Sequence, residues 1–372
     1  MNKVSQSLSL YYRLLLIMLF LFFTVKQTNI VVEKFFPSKL FYQWVTRNGK
    51  YSQTRELAAF KTNSFFNRYL HFNSSYDLSN YLSRYVPERI EIGPIFDHLL
   101  FNKTNTATMR EFVIDIDIDD YDDIRYCCSS TQVCKKCWIL MSCAAKVIHH
   151  IFQEQFGMKH ILNVFSGRRG IHFWICDEQA LHFNEQMRTY ITKYFSLFTN
   201  QCTNKDNHPI IDIHEEYPLY NEVYQILEPY FEDYCEKQEI FKIEQRKEQL
   251  LNLLPQNETS QVIRKFNNLS WTLLKEHFKN NKTTLMSIVF TYLYPRIDTN
   301  VSVQLNHLLK APFCIHPSTN KVCIPINFNT IDSFDPNKVP TLQSLQESKL
   351  LSFYSFNDSI ELFSRFVKES IQ

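Results

Sequence analysis

The chain has 372 residues, with 40 Lys and Arg against 38 Asp and Glu, a formal net charge of +2 at pH 7. An apolar share of 45% and a charged share of 21% are ordinary globular usage and exclude a long disordered or fibrous chain. Its 5 glycines, Gly49, Gly93, Gly157, Gly167 and Gly170, cannot be arranged into a dinucleotide-binding or Walker-type phosphate loop, which excludes both of those nucleotide folds.

Taken in chain order, the unbroken apolar run Leu14–Phe23 comes first, behind Lys3 and Arg13. It is too short to span a bilayer, which takes ~20 residues, and it has signal-peptide character without a small-residue cleavage site. Leu40, Phe41, Trp44 and Val45 predict a helix from Ser38, capped at Gly49. Two short β-like runs end near Phe72, and Ser74 or Ser75 caps a helix that carries Leu78, Tyr81, Leu82 and Tyr85 and stops at Pro87. Ile90 and Ile92 alternate as a strand. Phe112–Ile118 is the clearest strand, with its even positions facing a core and Asp115 and Asp117 sharing the other face. An amphipathic helix through Ile139 and Phe152 ends at Gly157, and Ile161–Phe165, Ser166–Gly170 and Ile171–Cys176 read as strand, tight loop and strand. Residues 181–290 have helical spacing throughout, and β-like material returns near Pro312–Ile326. A mixed core is therefore interrupted by helices and then completed.

The charge is unevenly placed. Glu111, Asp115, Asp117, Asp119, Asp120, Asp122 and Asp123 lie within 111–123 with no Lys or Arg among them, which leaves 31 of the 38 acids against 40 bases elsewhere. One acidic segment in a basic chain is the balance of a protein that holds divalent cations in one place and polyanions around it. Asp115 and Asp117 point the same way, about 7 Å apart by strand rise. Like charges on a half-buried face are unfavourable without a cation, and Mg2+ or Mn2+ would relieve them and give a two-metal site for in-line attack on a phosphate. The alternative is a solvated acidic strand. The loop Ser166-Gly167-Arg168-Arg169-Gly170, followed by His172, joins tight turning and approachable N–H groups to two planar cations, which suits an anion; the alternative is a hairpin with solvated arginines.

Cys127, Cys128, Cys134 and Cys137 are clustered, which favours metal over a disulfide framework and a reducing compartment. Four thiolates are expected to hold structural Zn2+, since they leave no open position for catalysis. His149 and His150 are rival ligands, with a surface pair on the helix as the plainer reading.

Together these segments resemble a known family. Phe112–Ile118, Tyr121-Asp122-Asp123-Ile124-Arg125, Cys127-Cys128-Ser129-Ser130, Cys134-Lys135-Lys136-Cys137-Trp138 and Ser166–Trp174 closely resemble the catalytic small subunits of eukaryotic DNA primases, within the archaeo-eukaryotic primase family. Tyr294-Pro295-Arg296-Ile297-Asp298, Asn306-His307-Leu308-Leu309-Lys310, Pro312-Phe313 and His316-Pro317 look like the same family's downstream motifs. The resemblance implies an α+β primase-polymerase fold with a zinc-binding loop and a helical insertion. Its catalytic core would occupy 38–180 and 291–345, the helical subdomain 181–290, and a C-terminal helix or tail 346–372. It implies a nucleotidyltransferase that copies single-stranded DNA into a short RNA primer de novo. Asp115 and Asp117 match the family's metal-binding pair, Asp298 its third carboxylate, and Glu56 a further acidic active-site residue. The positions Asp115, Ile116, Asp117, Ser166, Gly167, Arg168, Arg169, Gly170, Ile171, His172, His307, Leu308, Leu309, Lys310 and His316 match those around the incoming ribonucleoside triphosphate. The implied partners are a large primase subunit and the DNA polymerase alpha assembly, in the nucleus and without a membrane.

The N-terminus departs from the family, in which a helix resembling Leu8–Leu14 is followed almost directly by a segment like Phe36–Trp44. Residues 15–34 separate the two here and read as an insertion, with a targeting segment and a translated intron as rival accounts. Two other functions compete with priming: a non-catalytic zinc-containing nucleic-acid-binding module, and a primer-extending repair nucleotidyltransferase.

Overall fold

A computed structural model describes residues 35–100, 105–197, 213, 217–265, 268–347 and 350–371. The N-terminal helix over Leu8–Leu14 and the apolar insertion over 15–34 lie outside the described residues. The strands are β1 (Arg55–Lys61), β2 (Phe65–Leu70), β3 (Arg89–Phe96), β4 (Ala107–Met109), β5 (Phe112–Asp117), β6 (Ile161–Phe165), β7 (Gly170–Ile175), β8 (Leu309–Lys310) and β9 (Pro325–Ile326). The helices are α1 (Ser38–Thr46), α2 (Ser75–Tyr85), α3 (Trp138–His150), α4 (Glu178–Leu181), α5 (Glu185–Phe195), α6 (Pro218–Lys237), α7 (Glu244–Leu251), α8 (Gln256–Lys265), α9 (Trp271–His277), α10 (Lys282–Leu293), α11 (Thr299–Val303), α12 (Leu342–Gln346) and α13 (Leu350–Ser370). No helix among the described residues is long and apolar enough to cross a membrane.

The chain forms two compact units. Of the described residues, one unit holds those up to 108, 308–324 and 339 onward, and the other those of 109–307 and 325–338. The helices over 181–290 belong to the second unit together with its sheet, and the α/β material over 38–180 and 291–345 is shared between the two.

In the first unit the sheet runs β2-β1-β3-β4, with β8 also paired to β3. Its helices follow their apolar spacing. α1 buries Phe41, Trp44 and Val45, and the Trp44 ring meets Phe363 of α13 edge-on at 5.4 Å. The helix ends at Arg47 rather than at Gly49: Arg47 takes the left-handed conformation at φ 49° and its N–H bonds the carbonyls of Gln43 and Trp44. Ser74 caps α2, its side chain accepting the Asp77 N–H at 3.1 Å.

In the second unit β5-β7-β6-β9 form an antiparallel sheet. α3 is buried on nearly every side, which explains its continuous apolar run. Trp138 packs against Phe165 and Phe334 and donates its Nε1–H to the Ile331 carbonyl at 3.0 Å. A π-helical turn, Ile151–Gln155, extends the helix to Gly157, whose φ of +66° ends it.

His149 departs from the surface-pair reading. It is buried, bonds Asn163 Oδ1 at 2.9 Å and stacks on Phe328 at 3.9 Å. Burial is the main cause of its pKa falling to about 4. His150 instead pairs with Glu222 at 2.9 Å.

Candidate active site

The pairing of β5 with β7 sets the first group of functional side chains. Asp115 lies opposite His172 and Asp117 opposite Gly170. His172 Nε2 is 3.6 Å from Asp115 Oδ1. A Cβ on Gly170 would strike the Ile116 carbonyl oxygen and come within 2.7 Å of Asp117 Oδ1, so only glycine allows this close crossing. Ile116 and Ile171 are fully buried, which leaves only their backbones to face a ligand.

Ser166 organises the loop between β6 and β7. Its hydroxyl accepts the Gly170 N–H at 3.0 Å and the Arg169 N–H at 3.4 Å, its own N–H reaches the Gly170 carbonyl at 3.0 Å, and Gly167 supplies the left-handed turn at φ +83°. The two arginines then separate in role. Arg169 donates from Nε to Asp117 Oδ2 at 2.9 Å and from Nη1 to Asp119 Oδ2 at 2.6 Å. Arg168, half-exposed, makes no hydrogen bond or ion pair among the described residues, leaving its fork open to an anion.

Asp298 joins this group through the backbone. Its N–H donates to the Asp115 carbonyl at 3.0 Å, and its Oδ1 accepts the Asn300 N–H at 2.9 Å as the cap of α11. Two buried arginines hold that short helix in place. Arg110 donates to the carbonyls of Val301 and Gln304 at 3.2 and 2.9 Å, and Arg188 donates to those of Phe183, Glu111, Ser302 and Arg110. Arg296 forks onto both oxygens of Asp123 at 2.5 and 3.1 Å and reaches the Asp120 carbonyl at 2.6 Å. The face remains rich in negative charge: burial first, then Asp117 and Asp119, push Asp120 up to about 6.

In the first unit, Glu56 of β1 is fully buried and held from the neighbouring strand β2. Arg68 of β2 takes both of its oxygens, at 2.8 and 3.1 Å, and the Tyr69 N–H adds a third bond at 3.3 Å. Gly93 of β3 leaves room for both Glu56 and Leu308, since a Cβ there would lie 2.8 Å from Leu308 Cδ2 and 3.0 Å from Glu56 Oε2. Leu309 and Lys310 pair with Ile92 and Glu91. His316 stands on the turn between the bridged Ile315 and Val322, its Nδ1 bonded to Ser318 Oγ at 3.1 Å. His307 belongs to the second unit and follows α11 in a turn to Gln304.

The sulfur atoms of Cys127, Cys128, Cys134 and Cys137 lie within 4.8 Å of one another. Two of the separations, 3.6 Å from Cys134 to Cys127 and 3.9 Å from Cys137 to Cys134, match the ~3.8 Å that sulfurs at ~2.3 Å from a tetrahedral zinc would have. A disulfide needs ~2.05 Å, and these cysteines are free. Cys127 is drawn down to about 5, chiefly by its bond with Cys137, while burial first and then Cys134 push Cys128 up to about 12. One thiolate thus opposes ionisation of its neighbours, and a cation relieves that conflict. The group could hold zinc. Arg125 shapes the loop, bonding Asp122 and the carbonyls of Ser130 and Gln132.

A family profile described as DNA primase small subunit matches residues 114–328. The DNA primase small subunit of Schizosaccharomyces pombe is 36% identical over 348 residues, which cover 83% of this chain and 74% of that protein. The chain belongs to the DNA primase small-subunit family. Those of Drosophila melanogaster and Saccharomyces cerevisiae are 32% and 31% identical, each match covering 84% of this chain and 79% and 83% of the relative. Its mixed helix-and-sheet architecture is the α+β class expected of a primase small subunit. Several side chains that fix the candidate site residues carry no spacing signal, notably Arg68 on Glu56 and the pair Arg110 and Arg188 behind Asp298. The available signal was a rule, that a buried charge needs a partner, and it does not say which residue supplies it.

Proposed function

We propose that this chain is the catalytic subunit of a DNA primase, joining ribonucleoside triphosphates on a single-stranded DNA template into a short RNA primer without a pre-existing 3′ end. The observation that carries the reading is the β5–β7 register, which sets Asp115 and Asp117 against the start of the strand that follows the Ser166–Gly170 loop. Mg2+ or Mn2+ held by Asp115 and Asp117, with Asp298, would supply Lewis-acid activation of the attacking 3′-hydroxyl and charge neutralisation at the triphosphate. Asp117 and Asp119 also bring negative charge to bear on buried Asp120, and a cation on this face would offset it.

The chain's own residues then bind and orient. Arg168 offers a planar fork to phosphate oxygens, Arg169 fixes Asp117, and His172 lies beside Asp115. The family resemblance assigns Glu56 to catalysis and His307, Leu308, Leu309, Lys310 and His316 to the nucleotide. Zinc on the four cysteines is structural. The partners are a large primase subunit, as the small-subunit name of the relatives suggests, and a DNA polymerase alpha assembly, in the nucleus.

The test is priming by the chain with its large subunit on single-stranded DNA, given ribonucleoside triphosphates and no primer. Dinucleotides and longer products are expected, with Asp115→Ala abolishing synthesis while leaving template binding intact. Unchanged synthesis by Asp115→Ala would refute the metal assignment. Extension of a supplied primer without de novo dinucleotides would favour a repair nucleotidyltransferase.

A further inference from the structure

Gln238 stands just past the end of α6 and is 1% exposed. A buried amide is unfavourable unless both of its ends are bonded. Its Oε1 accepts the backbone N–H of Tyr126 at 2.8 Å and of Cys127 at 3.2 Å. Its Nε2 donates to Cys127 Sγ and to the Lys136 carbonyl, each at 3.4 Å. All four bonds go to the cysteine loop, and they settle the amide's orientation: only the oxygen can accept from two N–H groups, so the NH2 faces the sulfur.

Gln238 is itself held. Arg246 donates to the Gln238 carbonyl at 2.7 Å, and its guanidinium lies 4.5 Å from the centre of the Tyr126 ring. The Tyr126 hydroxyl bonds Gln249 of α7, and the Tyr234 hydroxyl of α6 donates to the Ile124 carbonyl at 2.5 Å. Metal ligands are oriented by such outer hydrogen bonds, and losing one typically costs ~10- to 100-fold in metal affinity.

We propose that Gln238 is a positioning residue of the zinc site, orienting the Cys127 thiolate and making metal retention and the α6–α7 turn one cooperative unit. The proposal rests on the reading of the four cysteines as zinc ligands. It gives the helical stretch a purpose in the zinc loop that the cysteines alone do not reveal.

The test uses the full chain, its Gln238→Leu and Gln238→Glu variants, and Arg246→Ala. Zinc release to a chelator, the thiolate-to-metal absorption of the cobalt-substituted protein, and melting with and without zinc are measured for each. Gln238→Glu keeps an acceptor for both N–H groups but loses the donor to sulfur, so it separates metal positioning from packing. Both Gln238 variants are expected to release zinc about 10- to 100-fold faster, with altered cobalt absorption and a smaller melting gap between loaded and stripped forms. Arg246→Ala, which leaves the amide in place, is expected to show a smaller acceleration. In the unaltered chain, stripping zinc is expected to speed hydrogen exchange in the turn after α6 as well as in the loop. Release and cobalt absorption unchanged in Gln238→Glu would overturn the proposal. An unaltered chain that binds no zinc would overturn the cysteine reading beneath it.

Discussion

The backbone N–H of Asp298 donates to the carbonyl oxygen of Asp115 at 3.0 Å. The third carboxylate of the proposed metal site is therefore placed by main chain, while its side chain caps α11. The cap and the charge can be separated, because Asn caps a helix as well as Asp does. Asp298→Asn is expected to hold stability within about 0.5 kcal/mol and to lose primer synthesis by at least about 100-fold, whereas Asp298→Ala loses a further ~1 kcal/mol of stability. Denaturant unfolding beside a priming assay decides it, and an active Asp298→Asn would remove this residue from the metal set.

Gly170→Ala forces a methyl group against the Ile116 carbonyl and Asp117. Backbone cannot yield as a side chain can, so the cost should be at least about 1–3 kcal/mol, and synthesis should fall further than the melting point alone accounts for. Gly93→Ala meets mainly side chains, and Leu308→Ala should recover part of its cost in a double-mutant cycle. Strictly additive effects there would show that the crowding is relieved elsewhere.

Arg168→Ala should raise KM for ribonucleoside triphosphates while leaving melting nearly unchanged, because no hydrogen bond or ion pair among the described residues is lost. Arg169→Ala should lower stability and kcat together, since it frees Asp117 and Asp119 from their cation. Equal effects of the two would contradict the division of roles within the loop.

His149 and Asp120 predict opposite pH slopes. His149 is depressed to about 4, so the unfolded chain takes up a proton below about 6.5 and the folded chain does not; stability contributed at neutral pH is lost on acidification, by about 2 kcal/mol at pH 5. His149→Gln should flatten that slope in melting curves taken between pH 5 and 7.

Asp120 is raised to about 6, so its stabilising protonation is present at low pH and lost as pH rises through about 6. Mg2+ should therefore raise the melting temperature more at pH 7.5 than at pH 5, and Asp120→Asn should narrow the difference. A Mg2+ effect independent of pH would argue against a cation on this face.

Local spacing made much of this legible. Alternation along Phe112–Ile118, the hairpin around Gly167 and Gly170, and the four-cysteine loop all depend on neighbours a few residues away. The rest depends on distant partners. Nothing near Glu56 announces Arg68 twelve residues on in β2, and a histidine on an amphipathic helix gives no sign that Phe328 will stack on it. The ending of α1 at Arg47 rather than Gly49 shows that a non-glycine residue can adopt the left-handed cap. The division into two units was the least visible feature, because the chain passes from one to the other at 108, 307, 324 and 338 and each unit is assembled from distant segments.

That repeated passage bears on synthesis at the ribosome. β3 finds its partner β8 only after more than two hundred further residues have been added. At ~5–20 residues per second, the first unit waits roughly 10–50 seconds for its last segment, and no contiguous fragment contains it whole. Until then β1, β2 and β3 have no complete sheet to join. Nascent chains stalled before Val339 should recruit chaperones that the finished protein does not need.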